Sequence, residues 1–123
     1  MSIEIRLKRI YEPPVKRDGY RVLADRLWPR GVSKETACLD AWVKELAPST
    51  ALRKWLHDDP SRIHEFARRY TDELLGRGDE AKALLGTIDQ TTLTLLSAVR
   101  DVDRSHLSVL RSHLESLVST LDL

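Results

Sequence analysis

Residues 20–31 read Tyr-Arg-Val-Leu-Ala-Asp-Arg-Leu-Trp-Pro-Arg-Gly. The adjacent apolar residues Val22, Leu23 and Ala24 suit a strand covered on both faces and predict a central strand over 20–27. Trp28-Pro29-Arg30-Gly31 ends it, because proline lacks the N–H that a central ladder needs and glycine permits a sharp change of direction. In an open α/β sheet, ligands bind beyond the carboxyl ends of the strands, which makes this exit the first place to look for function.

Upstream, Ile3, Ile5 and Leu7 alternate with Glu4, Arg6 and Lys8, the period of a half-buried strand. Glu12-Pro13-Pro14 stops that strand, and Lys16-Arg17-Asp18-Gly19 reads as a polar turn. Downstream, residues 39–46 fit both periods: Leu39, Trp42, Val43 and Leu46 at helical spacing, or Trp42, Lys44 and Leu46 on one face of a strand. The extended reading is preferred. Ser49 can cap a short helix through Leu56, and Asp59-Pro60 opens a helix bearing Ile63, Phe66, Ala67, Tyr70 and Leu74 as far as Gly76. A shorter helix is predicted over 79–85, closed by Gly86, and an interior strand over 91–99. Leu107, Leu110, Leu114, Leu117 and Leu121 then recur on a helix that starts near Asp103 or Ser105. Such a seam serves either packing on the chain's own sheet or a weak homodimer. With no repeat and no linker, the expectation is one domain over 1–123. Its class is α/β: a small three-layer sandwich with a mainly parallel central sheet of few strands flanked by helices.

At 123 residues, 41% hydrophobic and 32% charged, the chain can build a core without a disulfide or a structural metal. No stretch approaches the ~18 apolar residues of a membrane span, and Met1-Ser2-Ile3-Glu4-Ile5-Arg6 lacks the order of a signal peptide. A soluble, cytoplasmic protein without membrane contact is expected. The lone Cys38 cannot form an intramolecular disulfide, which suits a reducing compartment. The net charge of +1 divides unevenly, with +5 over residues 1–34 and −4 over the remainder. The basic N-terminal third suits an anion or nucleic-acid surface, or equally attraction between opposite halves of one domain. P-loop, GxGxxG, GxSxG and zinc-knuckle patterns are absent, and His57, His64, His106 and His113 lack metal-ligand spacing. Neither a cofactor nor a metal is therefore expected. Without an RNP motif or a basic recognition helix, nucleic-acid binding rests on the N-terminal charge alone.

Two clusters fall where strands should end. Residues 25–31 contribute Asp25, Arg26, Trp28, Arg30 and Gly31; residues 100–106 contribute Arg100, Asp101 and His106. If the two strands are parallel neighbours, the clusters face a shared cleft. Arg30, between proline and glycine, is suited to grip a carboxylate or phosphate through paired hydrogen bonds. His106 in a helix's first turn has the profile of a general base, because the helix dipole favours its uncharged form, with Asp25 orienting it or acting as acid or base itself. The plainer alternative is an Asp25–Arg26 or Asp25–Arg30 salt bridge that fixes the turn. Ser49 with Arg53 one turn later forms a possible anion seat at a helix start, although N-capping explains the serine equally well. His57 and Asp58 stay open as site residues.

The string Gly19-Tyr20-Arg21-Val22-Leu23-Ala24-Asp25-Arg26-Leu27-Trp28-Pro29-Arg30-Gly31, with Leu7-Lys8-Arg9-Ile10-Tyr11 and Pro13-Pro14 before it, resembles the YeaO-like branch of the domain-of-unknown-function family four-eight-eight. Ala47-Pro48-Ser49-Thr50, Leu52-Arg53-Lys54-Trp55, Asp58-Asp59-Pro60, Phe66, Arg69-Tyr70 and Leu93-Thr94-Leu95-Leu96 extend the match along nearly the whole chain. The resemblance implies a small single-domain α/β fold and assigns no reaction. Longer branches carry a Val-Asp-x-Arg type turn, to which Asp25 and Arg26 are similar, and a Cys-His-Arg type element whose histidine His106 resembles. Ser105 and Leu107 stand where that element has its cysteine and arginine, and Ser97 and Ser105 replace an aromatic and an asparagine usual in the branch. The expectation is a protein that binds an anionic small molecule, with hydrolase or transferase chemistry at Asp25 and His106 as an extension. The alternative is a nucleic-acid or protein interaction module.

Overall fold

Alternation in Ile5-Arg6-Leu7-Lys8 sends the aliphatic side chains to one face of β1 (Glu4–Arg9) and the cations to the other. The computed structural model describes residues 2–121, with the side chain of Leu121 outside the described set. After β1 follow β2 (Tyr20–Leu23), the short helix α1 (Lys34–Ala37), β3 (Ala41–Trp42), α2 (Thr50–Asp58) and α3 (Ile63–Leu75). The chain continues through α4 (Gly78–Thr87), β4 (Thr92–Ser97) and α5 (His106–Leu121). All four strands are parallel, in the order β1-β4-β2-β3. Leu7 pairs with Leu95, Val22 with Leu95 from the other side, and Val22 with Ala41. The last strand in sequence thus lies between the first two.

The two faces of the sheet are covered unequally. Ile5, Val22, Leu93 and Leu95 meet the buried side chains of α2 to α5. Leu23 and Leu96 on the opposite face meet Ile10, Ala37 and the half-buried Trp28 and Trp42, a thin layer of loops and α1. These are the three layers. Leu107, Leu110 and Leu114 of α5 are wholly buried within the chain's own core, with Leu117 packed at its edge. Packing on its own sheet therefore accounts for the leucine seam as far as Leu117; Leu121 lies beyond the described side chains. No helix among the described residues is long and apolar enough to cross a membrane.

Several boundaries differ from the sequence reading. β2 ends at Leu23 rather than Leu27: the Ala24 N–H still bonds to Leu96, but from Asp25 onward a side chain replaces the backbone as the link to β4. Residues 39–46 contain the two-residue β3 and a 3-10 turn over Lys44–Leu46. α4 runs through Gly86 to Thr87, and α5 begins only at His106, after a 3-10 turn over Val102–Arg104. The short α1, capped by Ser33, carries too little periodicity to be read in advance.

The polar turn before β2 is where tertiary packing adds most to the sequence reading. Asp18 is 1% exposed and pairs with Lys8 of β1, 2.9 Å away, and with Arg21 of β2, itself 4% exposed. Its carboxylate also accepts the Val15 N–H at 3.0 Å, and its carbonyl accepts the Thr94 hydroxyl at 2.7 Å. Loops cover the face that Lys8 and Arg21 occupy, so these alternating charges meet a counter-charge instead of water. Gly19 follows at φ 65°, where a Cβ would lie 2.3 Å from the Thr92 carbonyl oxygen.

Candidate functional site

Parallel strands end at one edge, and here the two middle strands leave it toward opposite faces. From β2 the chain passes to the Leu23 and Ala37 side; from β4 it passes to the helical side, where Leu107 and Leu110 are buried. Such divergence opens a crevice between neighbouring strand ends. Asp25, two residues past β2, is braced there by Ser97 at the end of β4 and His106 at the start of α5.

The Ser97 hydroxyl donates to Asp25 Oδ1 at 2.7 Å, and the Ala98 N–H donates to Oδ2 at 2.9 Å. His106 Nε2 lies 3.1 Å from Asp25 Oδ1 and 2.8 Å from the Ala24 carbonyl oxygen. A carboxylate and a carbonyl are both acceptors, so Nε2 carries the proton and Nδ1 is left to accept one. No buried side-chain nitrogen or oxygen among the described residues lacks a partner, and Nδ1 has none there, so it reaches solvent at the rim. Tyr70 closes the inner side, its ring edge-on to His106 at 6.3 Å and its hydroxyl donating to the Leu46 carbonyl. Burial, reinforced by the Glu73 and Asp25 carboxylates and opposed by Arg26, pushes the Tyr70 phenol far up, so it remains a donor.

Burial alone would raise the Asp25 carboxyl. The hydrogen bonds from His106, Ala98 and Ser97 outweigh it and hold the group below the usual carboxylate range. With the folded value depressed, this cluster's contribution to stability is present above the unfolded value of ~3.9 and is lost as pH falls through the lower folded value. Asp25→Asn is expected to destabilise by about 1–3 kcal/mol, because an amide cannot accept from every donor now facing the carboxylate. Urea denaturation at neutral pH measures it, and an unchanged midpoint would mean that the cluster does not hold the strand ends together.

The remaining expected site residues are distributed as follows. Arg26 donates through Nε to the Pro48 carbonyl at 2.7 Å and through a terminal nitrogen to Ala47 at 3.3 Å, so it braces the approach to α2 rather than facing a guest. Trp28 donates to the Val32 carbonyl at 2.6 Å and stands edge-on to Trp42 at 5.3 Å, as part of the thin layer. Trp42 in turn donates to the Asp25 carbonyl at 2.7 Å. Gly31 adopts φ 78°, which turns the chain back beside Arg30. Neither Arg26 nor Arg30 forms an ion pair with Asp25 among the described residues; the His106 Nε2–H hydrogen-bonds to it instead. Ser49 caps α2 as the plainer reading held, but the anion seat is already filled: Glu73 accepts the Ser49 N–H at 2.8 Å and its hydroxyl as well. With the chain's own carboxylate in that position, the expectation of a ligand at Ser49 and Arg53 is withdrawn. Arg53, His57 and Asp58 are exposed along α2, and Arg100 and Asp101 are exposed on the β4–α5 loop.

Sequence reasoning passed over Arg9 and Tyr11. Arg9 Nε donates to the Val99 carbonyl at 2.9 Å while its guanidinium lies 5.1 Å over the Tyr11 ring, and the Tyr11 hydroxyl donates to the Arg30 carbonyl at 3.1 Å. The exits of β1, β2 and β4 are thereby tied into one rim. Only the position of Arg9 at the end of the first strand hinted at this.

A family model described as the inactive DUF488-N3 subclade matches residues 4–122. The uncharacterized protein YeaO of Escherichia coli (strain K12) is 41% identical over 115 residues, covering 94% of this chain and all of that protein. The uncharacterized protein Rv3073c of Mycobacterium tuberculosis (strain ATCC 25618 / H37Rv) is 42% identical over 108 residues, 86% of this chain and 89% of its own. No solved structure matches.

Proposed function

We propose, from the premise that this chain belongs to the inactive DUF488-N3 subclade of the domain-of-unknown-function family 488, that it binds a small phosphate- or carboxylate-bearing molecule at its strand exits without turning it over. One observation carries this reading. The rim that joins the exits of β1, β2 and β4 bears Arg9, Arg30 and Arg100, and none of them forms an ion pair among the described residues. Guanidinium groups without a counter-charge on a shared rim are suited to an oxyanion.

The chemistry beneath the rim favours binding over hydrolysis or group transfer. The fully buried Ser97 hydroxyl donates to Asp25 and accepts the Val99 N–H at 3.1 Å, so it is not free to act as a nucleophile. Ser105, standing where the resemblance to the longer branches would place a cysteine, donates to the Val102 carbonyl and accepts the Leu107 N–H, which makes it a cap for α5. Asp25 is held by three donors, and only Nδ1 of His106 is open to a proton. The subclade's description as inactive points the same way. The alternative of a nucleic-acid surface draws less support from the basic N-terminal third than its charge suggests, because Lys8, Arg21 and Arg26 are engaged inside the fold. We place the protein in the cytoplasm, where the exposed free thiol of Cys38 stays reduced.

Thermal unfolding with inorganic phosphate, sulfate and short carboxylates tests the reading. An anion at a hundred times its dissociation constant stabilises by about 2.7 kcal/mol, a shift of several degrees for a domain of this size. Arg30→Ala and Arg100→Ala should each blunt that shift. If parent and variants respond alike to every anion, the arginine rim is not the site.

A further inference from the structure

A second concavity lies on the helical side of the same edge. It has a volume of about 230 Å³ and is lined by Leu56, Pro60, Ile63, Asp101 and Arg104. The volume falls below the ~300–1,000 Å³ of sites for drug-sized molecules, so its guest is small. The wall is apolar on the α2–α3 side, and opposite it the β4–α5 loop supplies one carboxylate and one guanidinium.

The two charges do not neutralise one another. The Arg104 N–H bonds to the Asp101 carbonyl at 3.2 Å, closing the turn, yet the side chains form no ion pair among the described residues. Elsewhere the same three-residue spacing does give pairs, at Asp59–Arg62, Glu65–Arg68 and Arg77–Glu80. Both Asp101 and Arg104 therefore present free charge of opposite sign to one cleft. We propose that this cleft binds a small zwitterion with an aliphatic chain, a free amino acid of the leucine type. Its carboxylate would meet Arg104, its ammonium Asp101, and its side chain the Leu56, Pro60 and Ile63 wall. A simple anion would leave Asp101 facing it without compensation, so the cleft differs in chemistry from the arginine rim.

L-leucine, N-acetyl-L-leucine and isopentylamine are the probes, each titrated into the protein while backbone amide resonances are followed by NMR. Leucine is expected to shift Leu56, Ile63 and residues 101–104 in a saturable way. Each single-charge analogue should bind about tenfold weaker or worse, as should leucine to Asp101→Asn or Arg104→Gln, since each loses one charge-assisted hydrogen bond. These residues are exposed, so both variants should keep the parent's spectrum elsewhere. The absence of a saturable response at millimolar leucine overturns the proposal, and so does N-acetyl-leucine binding as well as leucine. Phosphate stabilisation dependent on Arg30 should survive in Arg104→Gln, so the rim and the cleft fail or stand separately.

Discussion

Asp18→Ala is expected to lower the free energy of unfolding by about 3–5 kcal/mol, since removing one member of a buried charge network leaves the others uncompensated. Lys8 and Arg21 would remain on the covered face of the sheet with no carboxylate between them, and the Val15 N–H would lose its acceptor. At roughly 5–15 kcal/mol of total stability for a domain, a loss of this size removes a large fraction of the folded margin. Urea denaturation of parent and variant at neutral pH measures it. A change under about 1 kcal/mol would class the network with ordinary surface pairs and overturn the reading. The pH dependence has a definite sign. Burial would raise the Asp18 carboxyl, but the hydrogen bonds from Val15, Lys8 and Arg21 and the charge of Lys8 together hold it below the usual range. Its stabilisation is thus present above ~3.9 and disappears as pH falls through the depressed folded value. The alanine variant should lose stability less steeply in acid than the parent.

Gly19→Ala is expected to be as damaging, by a different route. At φ 65° and ψ −128° the residue occupies a region that essentially only glycine adopts, a strain of about 1–3 kcal/mol for alanine. The new Cβ would also lie 2.3 Å from the Thr92 carbonyl oxygen. Thr92 is the first residue of β4 and is registered with Glu4 of β1, so relieving the clash means moving the central strand away from one of its neighbours. Together the two effects should exceed about 3 kcal/mol, in the range where single substitutions abolish folding of marginal domains. Soluble yield and the urea midpoint report it. Gly86→Ala is the control: a Cβ there meets nothing, and alanine inside α4 should stabilise by roughly 0.5–1 kcal/mol. Equal behaviour of the two variants would refute the argument from close approach.

Asp25 and His106 were legible as candidates because each directly follows a segment whose periodicity or turn chemistry marks a strand end or a helix start. Their mutual contact was one of the alternatives, conditional on the two strands being parallel neighbours, and the part played by Ser97 was not legible, since these residues lie about seventy to eighty positions apart and meet only because β4 inserts beside β2. Arg26 and Ser49 resembled ligand groups for the same reason. A donor with no partner nearby in sequence looks free until carbonyls at Ala47 and Pro48, or a carboxylate at Glu73, arrive from elsewhere.

Local spacing determined by itself that strands alternate with amphipathic helices in one α/β domain, and where β1, α2 and α3 lie. Those elements are set by interactions within one or two turns, to which hydrophobic period, caps and breakers respond directly. Tertiary structure alone decided which charges are internal. Nothing in the spacing around Lys8, Asp18 and Arg21 shows that the loops before and after β2 close over them on one face of the sheet, and nothing local shows that Arg30 and Arg100, the candidates for an anion, are left without an ion pair among the described residues. Whether a charge becomes a strut or remains open to an anion depends on what long-range packing places opposite it, and desolvation acts only once that packing exists.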